Sequence, residues 1–368
     1  MKINRVDVYN MDLTYVHGTY VMSGDRRITS LPSTLLCITA DNGMQGWGEV
    51  CPLGTTYLPV NSPGIRAALS ILIPALIGVD PTNLARVNDV MDSTLSGYAY
   101  AKSPIDVACW DLLGRSLGVS VTTLLGGLRQ ERFPLYKAVP LGAPEEMKDY
   151  VLARRQEGIH RFQLKIGGEP ATDAIRVRKV VEATEANDVI IADANCGWRL
   201  NDALVAIRAM EDLPRLYLEQ PCPTMEECIQ LRRLTSLPMI YDEIVTDVPS
   251  LLRAIREGGA GGINIKTSRV GGLTKSKLMK DICAESGVQV TIEDMWGGDV
   301  VSAASAHMAA SVRTESLLTV SFMNDWTKEH VASYQPRSVR GFGSAPTGPG
   351  LGIEVDARKL GKPVLSAG

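Results

Sequence analysis

Three short apolar runs decide how this chain folds: Val189-Ile190-Ile191-Ala192-Asp193, Leu216-Tyr217-Leu218-Glu219 and Met239-Ile240-Tyr241-Asp242. Each is strand-length, rich in aliphatic residues, and stops at a carboxylate. The carboxylates are separated by 26 and 23 residues, far beyond a helical repeat, and helical stretches fill the gaps. The same beat continues outward on both sides. Apolar runs centre near Leu135, Leu164, Ile191, Tyr217, Ile240, Asn264, Val290 and Leu318, in steps of 23 to 29 residues. Helical patterns occupy 145–156, 172–185, 201–212, 224–234, 248–257, 274–284 and 300–311 between them. Eight strands alternating with seven helices predict a parallel α/β arrangement that can close into a barrel. An open doubly wound sheet is the alternative, but no glycine-rich fingerprint follows the first strand.

The flanks read differently. Residues 1–8 alternate apolar and polar as a strand does, and 35–40 form a second strand ending in the turn Asp41-Asn42-Gly43. Helices are expected over 67–76 and 81–92, and an amphipathic helix over 104–117 that ends at Gly118. After the eighth run come Gly341-Phe342-Gly343 and Thr347-Gly348-Pro349-Gly350, loop-forming sequence where an eighth barrel helix would stand. The division expected is 1–125 as an α+β domain, 126–325 as the barrel, and 326–368 as a segment returning to the first domain.

Composition limits the partners. With 38 Lys+Arg against 41 Asp+Glu, the net charge of −3 offers no basic excess for nucleic acid. No uncharged run approaches the roughly 18 residues that span a bilayer. Seven scattered cysteines without a C-x-x-C pair read as reduced thiols rather than a disulfide framework or zinc ribbon. A cytoplasmic protein without membrane or nucleic-acid partners is the expectation.

In such a barrel the strand tips face the active site. The tips here are Lys165, Asp193, Glu219, Asp242, Lys266 and the pair Glu293/Asp294. A single charged residue at a loop start is usually a cap or a solvated charge. Three carboxylates in phase on adjacent strands would repel unless a cation sat among them, and an all-oxygen set suits Mg²⁺.

At these residues the chain resembles the enolase superfamily, in its mandelate racemase and muconate lactonizing branch. The resemblance rests on Gly46-Trp47-Gly48-Glu49, Lys165-Ile166-Gly167, Asp193-Ala194-Asn195, Glu219-Gln220-Pro221, Asp242-Glu243 and Lys266-x-x-Arg269-x-Gly271-Gly272, in the family's order. It implies a modified TIM barrel, (β/α)7β, under an α+β capping domain built from both termini, in a homo-oligomer. It also implies one Mg²⁺ per subunit on Asp193, Glu219 and Asp242, with Lys165 and Lys266 as acid/base groups on opposite faces of the substrate. The implied chemistry is abstraction of the proton α to a carboxylate through an enediolate. Asn195 and Glu243 are expected to orient ligands or lysines. Burial, the cation and the second lysine are expected to lower each lysine's pKa.

Two departures stand out. The family's lysine-x-lysine on the second strand is Gln163-Leu164-Lys165, and no histidine lies near Asp294 to form the racemase-type dyad. Tyr57 in a covering loop, and Asp294 with Trp296 after the seventh strand, are the expected substrate contacts. A carboxylate beside an indole can receive a cationic nitrogen. Both segments resemble those of cis-3-hydroxy-L-proline dehydratases and proline-betaine epimerases. A small carboxylate substrate, a cyclic amino acid, is therefore expected, with dehydration as the reaction and epimerisation as the alternative. Two other classes compete: a metal-free Schiff-base aldolase, and a non-catalytic binding module that would have lost one of the five charged residues.

Overall fold

A computed structural model of the chain describes residues 1–333 and 336–368. Eight parallel strands follow one another in chain order around the centre of the molecule. They are Lys137–Val139, Arg161–Lys165, Val189–Asp193, Leu216–Glu219, Met239–Tyr241, Gly262–Lys266, Gln289–Glu293 and Leu317–Val320. Leu135 bridges Val320 in parallel and the Tyr136 amide donates to the Val320 carbonyl at 3.0 Å, so the last strand meets the first. Helices Pro144–Gln156, Pro170–Glu182, Leu200–Arg208, Met225–Arg232, Val248–Arg256, Leu273–Glu285 and Asp299–Ala310 fill the seven gaps. Past the eighth strand comes the short 3-10 turn Met323–Trp326, and among the described residues no barrel helix follows it.

The first strand lies slightly later than expected. The run centred on Leu135 splits: Phe133–Pro134 pairs antiparallel with Phe342–Gly343, and the barrel strand begins at Lys137. Pro134 has no N–H to give a central ladder, which pushes the register onward.

Over the C-terminal ends of the strands sits an antiparallel sheet in the order Leu365–Ala367, Ile3–Thr14, Ser30–Ala40, Gln45–Val50. The Asp41–Gly43 turn joins its last two strands, and Gly43 supplies the left-handed conformation, φ 82°, that this tight connection needs. Helices Ser62–Leu76, Leu84–Thr94 and Ala99–Leu117 back the sheet. The core between them includes Val6, Val8, Leu36, Ile38, Leu69, Leu72, Ile105 and Leu112.

The helix expected over 104–117 differs in two ways. It starts at Ala99, five residues before Pro104, and every residue from Ala101 to Leu112 is buried. It is therefore an internal helix rather than an amphipathic one. Its polar members are paired, which is what makes their burial tolerable. Asp106 accepts from the Thr274 amide (3.0 Å) and hydroxyl (2.6 Å), and Asp111 accepts from the amides of Trp47 (3.0 Å) and Leu351 (2.8 Å). The Gly46-Trp47-Gly48-Glu49 motif lies against this helix. A Cβ on Gly48 would stand 1.8 Å from the Pro104 carbonyl oxygen. Glu49 crosses to the barrel, where its carboxylate accepts from the amides of Gly298 (2.7 Å) and Val301 (3.2 Å) at the start of helix Asp299–Ala310. A buried acid at a helix N-terminus complements its dipole.

This packing gives a direct test. Gly48→Ala forces a methyl into backbone that cannot yield, and should lose about 1–3 kcal/mol of stability in a denaturant titration. Gly43→Ala, whose added methyl meets nothing within 4 Å, should cost only about 1 kcal/mol for its left-handed backbone.

Candidate active site

The strand register sets the site. Lys165 pairs with Asp193 across one ladder, Asp193 with Glu219 across the next, and Lys266 with Glu293 across the ladder between the sixth and seventh strands. Asp242 follows directly on the strand Met239–Tyr241. All six side chains are buried at the C-terminal mouth of the barrel. The two lysines stand on the second and sixth of eight strands, half the circumference apart, and so face each other across the mouth.

Each carboxylate has donors from its neighbours. Lys165 Nζ lies 2.5 Å from Asp193 Oδ2, and Lys266 Nζ lies 2.7 Å from Asp242 Oδ2. Arg269 Nη1 takes the other oxygen of Asp242 at 2.7 Å. Gln163 Nε2 donates to both oxygens of Glu219 at 3.0 Å, and Asn264 Nδ2 bridges Glu219 (2.7 Å) and Glu293 (3.1 Å). Gln163, standing where the family carries its first lysine, thus holds a carboxylate without adding charge. Tyr136 donates its hydroxyl to Glu293.

Glu219, Asp242 and Glu293 offer oxygens within 4.8 Å of one another. This set overlaps the expected triad but has Glu293 in place of Asp193. The Asp193 oxygens accept from Lys165 and, at 2.9 Å, from the Asn195 amide, as the Asp242 oxygens accept from Lys266 and Arg269. Burial, together with the charges of Asp193, Asp242 and Glu293, raises the pKa of Glu219 well above the ordinary range. A cluster of buried oxygen donors that repel one another fits a hard divalent cation. Unpartnered buried atoms concentrate here as well: Glu243 Oε2, Asn264 Oδ1, Arg269 Nε and Trp296 Nε1.

The lysines differ from expectation. Burial disfavours the ammonium of Lys165, but the charges of Asp193, Tyr20 and Glu219 outweigh it and raise its pKa. Lys266 is likewise raised, burial being overcome by Asp242 and Glu293. The protein's own groups thus act against the expected lowering, because each ammonium has a carboxylate in direct contact; the expectation also counted the charge of a bound cation.

The cover comes from the first 60 residues. Tyr57 donates its hydroxyl to Glu243 and lies 3.4 Å from Lys266 Nζ. Asn195 Nδ2 donates to Glu243 Oε1 at 3.0 Å. Tyr20, Met22, Leu53, Met295, Trp296, Met323 and Trp326 line the rest of a cavity of about 30 Å³ that also touches both lysines. Trp296 packs edge-on to Tyr15 and Trp326 and close to Tyr20, so it is a wall of that cavity. Asp294 borders the cavity, but its carboxylate is taken by the Ser268 amide (3.0 Å), the Ser268 hydroxyl and the Met295 amide (2.8 Å). The expected free carboxylate beside the indole is therefore absent at Asp294, which instead caps the helical turn Thr267–Val270. The buried acid that does stand free of such capping is Glu293, one residue earlier. Its register opposite Lys266 was the available signal, since alternate residues of a strand share a face. Tyr136 and Tyr20 carried no comparable signal, because they lie outside the strand tips.

The conserved-domain pattern "Mandelate racemase / muconate lactonizing enzyme, N-terminal domain" matches residues 21–126, and "Enolase C-terminal domain-like" matches 146–359. The chain belongs to the enolase superfamily. Within its mandelate racemase/muconate lactonizing branch, it is 42% identical to a cis-3-hydroxy-L-proline dehydratase of Roseibium aggregatum, over 99% of both chains. An N-succinyl-L-Arg/Lys racemase of Bacillus cereus is 27% identical over 98% of this chain and 97% of its own. A crystal structure from Roseovarius nubinhibens, complexed with magnesium, superposes with a TM-score of 0.95 at 32% identity, covering all of both chains. This superfamily member is an enzyme, and its buried acidic set and magnesium-containing neighbour point to a divalent cation. No helix among the described residues is long and apolar enough to cross a membrane.

Glu243 supplies a pH test. Burial first, then the charges of Asp242 and Asp193, push its pKa from 4.5 up to about 7. A carboxyl raised in the fold binds an extra proton there, so stability falls as pH rises between about 4.5 and about 7, then levels off. With chelator present, the denaturation midpoint of the wild type should drop across this window more than that of Glu243→Gln. Parallel profiles would remove Glu243 as a source.

Proposed function

We propose that this enzyme abstracts the proton α to the carboxylate of a small cyclic amino acid, with Mg²⁺, and that its reaction is dehydration of cis-3-hydroxy-L-proline. The observation that carries the reading is the full-length 42% identity to a dehydratase of that substrate, in a chain that buries two lysines and four acids at the barrel mouth. Asp193, Glu219 and Asp242 would hold one Mg²⁺ per subunit, and Glu293 is near enough to Glu219 and Asp242 to contribute. When bound, the cation supplies a Lewis acid for the substrate carboxylate.

The chain's own residues account for the remainder. In cis-3-hydroxyproline the hydroxyl and carboxylate share a ring face, so the α-proton and the hydroxyl lie on opposite faces. Two lysines across the mouth suit that geometry. One, neutral once the carboxylate it contacts is engaged elsewhere, takes the α-proton, and the C–H electron pair passes into the substrate carboxylate as an enediolate; the pair then returns to form the ring double bond as the C–O bond breaks. The other, as an ammonium, gives its proton to the departing hydroxyl, which leaves as water. The enamine formed then tautomerises to a cyclic imine. Tyr20, Trp296 and Trp326 line the cavity, where they exclude water and surround the ring nitrogen with aromatic groups.

Epimerisation is the second reading, favoured by the same opposed lysines and by the racemase relative. The second lysine would then return a proton to carbon. Incubation of cis-3-hydroxy-L-proline in D₂O, followed by NMR, should show loss of substrate and formation of the imine. Deuterium at an inverted α-carbon with the hydroxyl retained would sink dehydration. Lys165→Ala and Lys266→Ala should each lower turnover by about 10²–10⁴-fold or more, and chelation should abolish it. Full activity after chelation would instead favour the Schiff-base alternative.

A further inference from the structure

Asn195 stands two residues beyond Asp193, in the left-handed region at φ 45°. Its Oδ1 accepts from Ser23 Oγ at 2.9 Å; its Nδ2 donates to Glu243 Oε1 at 3.0 Å and reaches the Tyr57 hydroxyl at 3.5 Å. Ser23 belongs to the turn between strands Tyr20–Met22 and Arg26–Ile28, and Tyr57 to a different loop, after the strand Gln45–Val50. These two segments supply Tyr20, Met22, Leu53 and Tyr57 to the catalytic cavity. That cavity, about 30 Å³, has room for about one water molecule. An amino acid fits it only after part of the lining moves, and the covering segments are part of that lining.

We propose that Asn195 is a positioning residue that fastens both covering segments to the barrel and couples their opening. One planar amide makes bonds to both. When Ser23 lets go, the amide loses the partner that fixes its plane, and its grip on Glu243 and Tyr57 weakens. The segments therefore open together although Ser23 and Tyr57 belong to separate parts of the cover. The backbone amide of Asn195 also donates to Asp193 Oδ1 at 2.9 Å, so the fastening is built directly beside an acid of the mouth. The fastening stands on hydrogen bonds alone; its consequence for turnover rests on the proton-abstraction reading.

Hydrogen–deuterium exchange of the full chain without substrate tests it. Asn195→Gly removes the side chain without strain at φ 45°. Backbone amides in 20–28 and in 52–60 should then exchange about tenfold faster together, as expected for loss of about one net hydrogen bond's worth of stability, while the barrel strands keep their rates. Ser23→Ala, in the covering turn, should accelerate 52–60 as well as its own loop. Unchanged exchange in Asn195→Gly, or an effect of Ser23→Ala confined to 20–28, would overturn the proposal. If the exchange results hold but the wild type acts on no proline derivative in the D₂O experiment, the functional reading fails and the fastening stands.

Discussion

Repulsion among buried carboxylates is the constraint that organises this molecule. Asp193, Glu219, Asp242 and Glu293 are brought to one mouth by the strand register, and each is taken out of water. Taking such charges into a low-dielectric interior costs several kcal/mol apiece unless they are paired or neutralised. The surrounding residues meet that demand in kind: Lys165, Lys266 and Arg269 with charge, Gln163 and Asn264 with N–H groups. The site is thus stable enough to exist and too acidic to be a comfortable core, which is the condition a cation-binding site needs.

The covering domain serves the same end. It keeps water from the mouth, and it is attached by acids as well as by apolar packing. Asp106, Asp111 and Glu49 are fully or almost fully buried, and each links a segment of the first 125 residues to a later one. Their desolvation is offset by backbone amides and hydroxyls rather than by cations alone, so the contacts are directional. A purely apolar interface would fix the two parts less specifically in rotation and register. The glycines facing helix Ala99–Leu117 allow the approach that these bonds require.

Much of this was legible in the sequence because strand periodicity is coarse and survives local irregularity. Every barrel strand but the first lies where its apolar run predicts, and the lysines and acids of the second to sixth strands fall at the tips. What escaped depends on finer information. The first strand is shifted by Pro134, whose missing donor affects pairing rather than hydropathy. The helix at Ala99 was hidden because Pro104 imitates a helix start while sitting inside one. Asp294 and Glu293 are adjacent acids, and only side-chain direction separates the one that caps a backbone turn from the one that faces the lysine. The lysine pKa values turn on contacts of a few ångströms, which no spacing rule encodes.

The strand Leu365–Ala367 lies against Val6–Val8, so the two ends of the chain share one sheet. That pairing encloses nearly the whole polypeptide in a single loop, and loop closure grows more costly with length, though only logarithmically. During synthesis the barrel segments emerge before the fourth strand of the sheet is available. The residues that cover the mouth are made first, the barrel after them, and the edge strand of the cover's sheet last, so that sheet cannot be completed until the barrel segments exist. The order of residues along the chain then acts as a timetable, in which the cover's last strand is available only once every segment of the chamber below it has been made.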